Sequence, residues 1–93
     1  MTTSFLSSSD PPVRPESVIA GTLCLMSCFV QHRLPLYAER IAENLRLLAA
    51  DASLTAEMRT LCERLAVRWN AISADAAREV AAAGPPADAR AVH

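Results

Sequence analysis

The chain has 93 residues, of which 52% are hydrophobic and only 4% aromatic, and its formal net charge is −1. All nine basic residues are arginine and only two residues are glycine, so neither a charge-driven contact with nucleic acid or membranes nor a fold of tight hairpins is expected. Abundant Ala and Leu favour helix, and the lysine-free, alanine-rich composition indicates a bacterial coding sequence.

Both ends of the chain have a composition that opposes packing. Residues 1–14 are rich in Ser, Thr and Pro and are predicted to be a disordered N-terminal arm. Gly84, Pro85 and Pro86 form a strong helix stop, and residues 84–93 are predicted to be a disordered tail. A single helical domain remains at 15–83. Domains below about 70–80 residues usually need a disulfide, a metal or a partner subunit.

The first helix is predicted over residues 16–33, because Pro15 and Ser17 suit a helix start and Pro35 disfavours helix at the residue before it. Its apolar residues form two stripes about a quarter-turn apart, one of Val18, Leu25 and Phe29 and the other of Ile19, Leu23, Met26 and Val30. Such a wide apolar face needs more than one neighbour. We therefore expect a subunit interface on this helix.

Two further helices are predicted, over residues 36–50 and 55–82. The second helix carries one buried stripe of Tyr37, Ile41, Leu45 and Leu48. The third begins after a loop with two candidate caps. Its apolar residues alternate at spacings of four and three, which is typical of a coiled-coil-like seam: Met58, Cys62, Leu65, Trp69, Ile72, Ala76 and Val80.

These elements predict an all-α fold in which a three-helix unit forms a helical-bundle homodimer, since twofold contacts dominate homo-oligomers. The first or the third helix is expected to form the dimer seam. The predicted interface residues are Val18, Leu25, Phe29, Trp69 and Ile72.

Cysteine and histidine residues suggest one chemical alternative. Cys24, Cys28 and His32 recur every four residues on one edge of the first helix, and both residue types bind metals. Cys24 and His32 are about 12 Å apart along the axis, so one ion cannot bind all three. The candidate metal ligands are Cys28 and His32, with Cys24 or Cys62. The competing interpretation is that the cysteines are small buried hydrophobic residues.

Catalysis and nucleic-acid binding find little support in the sequence. His32 is the only histidine outside the predicted tail, and no Ser, Cys or Asp lies in a recognisable nucleophile turn, so we expect no enzymatic activity and no cofactor. Arginines 59, 64 and 68 alternate with glutamates 57 and 63, which favours a solvated surface over a phosphate-binding face. A nucleic-acid regulator using these arginines is the third hypothesis.

A cytoplasmic location is expected, because three cysteines in apolar helical sequence do not resemble a secreted disulfide framework. The uncharged run from Ser17 to His32 is apolar from Val18 to Val30, short of the roughly 20 residues of a membrane span. No membrane contact is therefore predicted. One alternative is that Leu25 to Cys28 act as a lipoprotein cleavage box. Acidic residues in the preceding segment oppose this export-signal interpretation.

The function predicted from these patterns is that of a small bacterial interaction or adaptor protein, without enzymatic chemistry, that works as a homodimer. It would act through its dimer surface or through a groove between helices. The alternative is a metal-binding or thiol-redox-responsive helical protein that uses Cys28 and His32 with Cys24 or Cys62.

Overall fold

The structure is a computed structural model that describes residues 14–83. This part of the chain contains three α-helices and no strand: α1 at Pro15–Gln31, α2 at Pro35–Ala49 and α3 at Ala56–Ala83. The predicted all-α fold with three helices is confirmed. The predicted arm and tail lie outside the described residues, apart from Arg14.

The two ends of α1 are set by proline. Pro15 occupies the first turn, and the backbone carbonyl of the capping residue Arg14 accepts bonds from the amides of Ser17 and Val18, at 3.0 and 3.2 Å. No side chain caps this end, so the expected cap from Ser17 is not used. The helix stops two residues before its predicted end, because the chain is already extended at His32 (φ −136°, ψ 107°).

None of the described helices is long and apolar enough to cross a membrane.

The middle helix, α2, packs against both α1 and α3. It has Pro35 in its first turn, where the missing amide proton costs no helical hydrogen bond. Two adjacent rows of its residues are buried rather than the single predicted stripe: Ala38, Ile41, Ala42, Leu45 and Leu48. Tyr37, the first residue of the predicted stripe, is half-buried. A helix with a neighbour on each side must be apolar over a wider arc, which the two buried alanines provide.

Side-chain caps order the connection between α2 and α3. The Asp51 carboxylate accepts hydrogen bonds from the backbone amide and the hydroxyl of Ser53, at 2.8 and 2.6 Å. The Thr55 hydroxyl accepts from the amide of Met58 at 3.1 Å, which makes Thr55 the N-cap of α3. The bond from Met58 satisfies a backbone donor that would otherwise lack a partner at the helix start.

Helices α1 and α3 run in the same direction, and both are antiparallel to α2. Asn44 of α2 donates a hydrogen bond to Thr22 of α1, and Phe29 near the end of α1 contacts Trp69 at the middle of α3. The buried core is formed mainly by α2, with Phe29 from α1 and small residues from α3. The buried apolar residues of α3 are small: Cys62, Ala66 and Ala76.

Candidate functional site

An open apolar cleft lies between the middle of α1 and the first half of α3, with α2 as its floor. Its volume is about 250 Å³. Small-molecule sites usually measure about 300–1,000 Å³ and enclose most of the ligand, so this cleft suits inserted side chains better than a bound metabolite. The lining is formed by Ile19, Thr22, Leu23, Met26, Leu45, Leu48, Met58, Leu61, Cys62 and Leu65.

The single hydroxyl in this lining is already satisfied. Thr22 is 3% exposed, and its Oγ1 donates to the Val18 carbonyl at 2.7 Å. The same oxygen accepts a hydrogen bond from Asn44 Nδ2 at 3.1 Å. The cleft therefore presents hydrocarbon and sulfur to whatever enters it.

An aromatic contact and an ion pair join α1 and α3 beyond one end of the cleft. The rings of Phe29 and Trp69 pack edge to face, with centroids 5.4 Å apart and an interplanar angle of 82°. One turn further on, Arg33 lies 4.9 Å above the Phe29 ring and pairs with Glu79. Towards the start of the two helices the facing residues include Thr22 and Cys62, which are too small to fill the space.

Large apolar side chains stand in solvent along the mouth of the cleft. Leu23 is 60% exposed, Leu61 49% and Met58 37%. Val30, seven residues after Leu23 and so on the same side of α1, is 80% exposed. Large exposed apolar patches on small proteins are often interaction sites.

Charge is absent from the whole length of α1 that borders the cleft. No Asp, Glu, Lys or Arg lies between Glu16 and Arg33. Only two residues of this helix, Thr22 and Phe29, are buried. Surface helices usually carry charged residues on the face opposite the core, as α2 does with Glu39 and Arg40, both exposed. An exposed helix face without charged residues, as in α1, is therefore unusual for a solvent-exposed helix.

The five residues predicted from the sequence to form the dimer interface contribute to the core of one chain. Phe29 is buried, and the other four are half-buried and pack against the core cluster: Val18, Leu25, Trp69 and Ile72. The open apolar surface is carried instead by the second predicted stripe of α1, since Ile19, Leu23 and Met26 line the cleft. Leu61 was missed because it lies outside the regular seam pattern of α3.

The candidate metal ligands are spread over different surroundings. Cys24 is exposed, Cys28 is half-buried and His32 is exposed beyond the end of α1. Cys62 is buried and lines the cleft from α3, and burial raises the pKa of its thiol. Cys24 follows the cleft-lining residue Thr22 by two residues and so lies about 200° around α1 from it. Residues 14–83 contain no group of three or more His, Cys, Asp or Glu that could hold a metal ion.

The three arginines that define the nucleic-acid hypothesis do not share one surface. Arg64 and Arg68 are exposed, whereas Arg59 is half-buried and its Nε has no hydrogen-bond partner in the described part of the chain. Arg59 and Arg64 are five residues apart and so about 140° apart around α3. Arg68 lies seven residues beyond Leu61, on the side of α3 that faces the cleft.

Comparison with protein-family models, with curated proteins and with solved structures gives no match. The fold and the site thus define the chain as an all-α, three-helix protein with an open, neutral, apolar cleft between its outer helices.

Proposed function

We propose that this chain is a non-enzymatic protein–protein interaction module that works as a homodimer, with the α1–α3 cleft as its contact surface. The observation that carries the proposal is the row of exposed large side chains around a cleft with an apolar lining. Covering apolar surface releases about 25 cal/mol per Å². A partner that inserts side chains here would therefore gain free energy that the single chain leaves unused.

The chemistry of the cleft supports binding rather than catalysis. Its one ionisable lining group is the Cys62 thiol, whose pKa is raised by burial. A raised pKa lowers the thiolate fraction at neutral pH, and the thiolate is the nucleophile and the metal ligand. The residues around the cleft thus favour recognition of apolar side chains over covalent chemistry.

The size of the domain supports a subunit partner. The helical domain spans 69 residues from Pro15 to Ala83, and domains of this size bury only about 60% of the surface that their unfolded chains expose. All three cysteines are free, which agrees with a reducing cytoplasm. Neither a disulfide nor a metal cluster in residues 14–83 supplements the small core, and a second subunit would supply the missing apolar contacts.

The test is native mass spectrometry combined with sedimentation at several concentrations of the full-length reduced protein. We expect a dimer, and we expect Leu61→Arg to shift the equilibrium towards monomer while the helical circular dichroism is retained. The matched control is Leu47→Arg, because Leu47 is similarly exposed on α2 but does not line the cleft. A monomer at every concentration would contradict the homodimer, and equal effects of the two variants would contradict the role of the cleft.

The metal-binding or thiol-redox alternative stays a prediction on Cys28 and His32. No observation on residues 14–83 brings these two residues to the cleft or to a third ligand.

A further inference from the structure

We infer that the occupant of the cleft is α1 of a second copy of this chain, lying antiparallel to the resident α1 and centred on Leu23. This inference rests on the proposed homodimer and specifies its geometry. Four features of the described residues lead to it: the neutrality of α1, the shape of its surface, the register of the helices and the positions of two charges.

Of the three helices, α1 fits the cleft best, because its exposed face carries no charged side chain between Glu16 and Arg33. The exposed faces of α2 and α3 carry charged residues such as Glu39, Arg40, Glu63 and Arg64. These would lose hydration if they were pressed into an apolar cleft. The face of α1 has no charge between Glu16 and Arg33, so it can enter the cleft without leaving a charged group unpaired.

The same surface of α1 supplies both a ridge and one wall of a groove. Leu23 and Val30 project into solvent on one line of the helix, seven residues apart. Ile19 and Met26, on the neighbouring line, form the wall of the cleft. A patch that carries a protrusion beside its own depression is self-complementary, which is what a twofold contact requires. In such a contact the ridge of each copy fills the cleft of the other.

An antiparallel arrangement places the only acidic residue of α1 against a basic residue of α3. Glu16 lies seven residues before Leu23, and Val30 lies seven after it, so a twofold axis at Leu23 sets Glu16 of the partner subunit beside Val30. Because Phe29 contacts Trp69, the neighbouring residues Val30 of α1 and Arg68 of α3 lie at the same height along the two helices. Arg68 is exposed on the cleft side. In a parallel arrangement Glu16 of the partner subunit would lie near the start of α3, about 18 Å from Arg68.

The decisive measurement is the dimer dissociation constant of full-length reduced variants, obtained by sedimentation, with circular dichroism as the check on folding. Leu23→Asp is expected to raise the constant by about 30-fold or more, as loss of a central apolar anchor does. Val67→Asp is the matched control, because Val67 is 68% exposed on α3 and lines a different depression, between α2 and α3. It should leave the constant unchanged. If Leu23→Asp fails to fold, Val30→Asp is the second variant, since Val30 is 80% exposed.

Orientation is tested by exchanging the two charges. Glu16→Arg and Arg68→Glu should each weaken the dimer by about three- to tenfold, and the double exchange should restore it, as expected for an exposed ion pair at an interface. Weakening by Leu23→Asp without restoration by the double exchange overturns the antiparallel register. A dimer that tolerates Leu23→Asp and Val30→Asp overturns the inference while the proposed homodimer survives. A monomeric wild-type chain overturns both.

Discussion

Arg33 and Glu79 form a two-pronged ion pair that ties the end of α1 to the last third of α3. The Arg33 Nε donates to Glu79 Oε1 at 3.0 Å, and Nη2 donates to Oε2 at 3.1 Å. The same guanidinium lies over the Phe29 ring. This arrangement fixes the closed end of the α1–α3 pair, and the cleft opens at the opposite end.

The ion pair predicts a pH dependence of stability with a defined sign. Hydrogen bonding to Arg33 lowers the pKa of Glu79, and the bond to Glu79 raises the pKa of Arg33, which stays protonated at any working pH. Because the folded pKa of Glu79 lies below its ordinary value of 4.5, the stabilisation is complete above that pH and is lost as the pH falls through the lowered pKa.

We therefore expect Glu79→Gln to lower the thermal midpoint at pH 7 and to have a shrinking effect below pH about 4.5, because the wild-type carboxylate becomes neutral there as well. The measurement is a series of melts by circular dichroism at low ionic strength, since salt screens exposed pairs. Glu39→Gln on the exposed face of α2 serves as the control. A midpoint difference between wild type and Glu79→Gln that stays constant down to pH 2 would contradict the role of the pair.

Phe29 is predicted to be the most important side chain of α1 for folding. It is 4% exposed and packs edge to face on Trp69. Phe29→Ala removes a buried ring and leaves a cavity, which typically costs about 3–5 kcal/mol of unfolding free energy. That loss is a large part of the about 5–15 kcal/mol of a typical domain.

The measurement for Phe29→Ala is urea unfolding followed by the fluorescence of Trp69, the one tryptophan in the chain. Val67→Ala is the control. Val67 is 68% exposed and does not line the cleft, so its truncation should change the unfolding free energy by no more than about 0.5 kcal/mol. Similar losses for the two variants would show that Phe29 is not part of the core.

Sequence patterns predict the helices well because their ends depend on local chemistry. Pro15 and Pro35 start helices by fixing their own backbone angles, and Pro35 also restrains Leu34 to an extended conformation. Thr55 caps α3 through its own hydroxyl. Each of these signals acts within a few residues, and so the observed bounds differ from the predicted ones by no more than two residues.

The arrangement of the helices is less accessible from sequence, because it depends on which side chains fill the space between them. The predicted seam of α3 includes Met58 and Val80, which are 37% and 50% exposed. Of the four buried residues of α3, the predicted seam contains Cys62 and Ala76 but not Ala66 and Ser73, because small residues contribute little to a hydropathy pattern. Small residues allow two helices to pack closely. Whether they do so depends on the partner helix, which the local sequence does not identify.

The cleft likewise could be predicted only in part from the sequence. The stripe of Ile19, Leu23 and Met26 predicts a second neighbour for α1, and these residues do line the cleft. The sequence does not reveal that α3 forms the opposite wall with Leu61 and Leu65, because that pairing depends on how the helices pack together.

The hydrogen bond between Asn44 and Thr22 predicts non-additive effects of substitution. Thr22→Val leaves the Asn44 amide without its partner at a half-buried site, and Asn44→Leu leaves the Thr22 hydroxyl with its bond to the Val18 carbonyl. We expect Thr22→Val to cost about 1–3 kcal/mol, since an unpaired buried donor is penalised, and the double variant to cost less than the sum of the two. Urea unfolding of the four proteins measures this coupling, and strict additivity would contradict it.

The three thiols are expected to react with iodoacetamide in the order Cys24, Cys28, Cys62. Their environments are exposed, half-buried and buried, and burial raises the pKa of the Cys62 thiol, which lowers its reactive thiolate fraction. A time course read by peptide mass spectrometry gives the three rates. In urea the rates should converge, because the differences arise from the fold. If Cys62 in the folded protein reacts as fast as Cys24, the buried position of Cys62 is contradicted.

Replacing both Cys28 and His32 by Ala separates the interaction function from the metal alternative. Cys28 is half-buried and His32 is exposed beyond the end of α1, so the double variant should keep the helical circular dichroism and the dimer dissociation constant of the wild type. Titration with Co²⁺ supplies the spectroscopic readout, since thiolate ligation produces visible absorption. The absence of a thiolate–Co²⁺ absorption band from both proteins would agree with the interaction function. A band in the wild type that survives Cys24→Ala but disappears in the double variant would establish the metal alternative at Cys28 and His32.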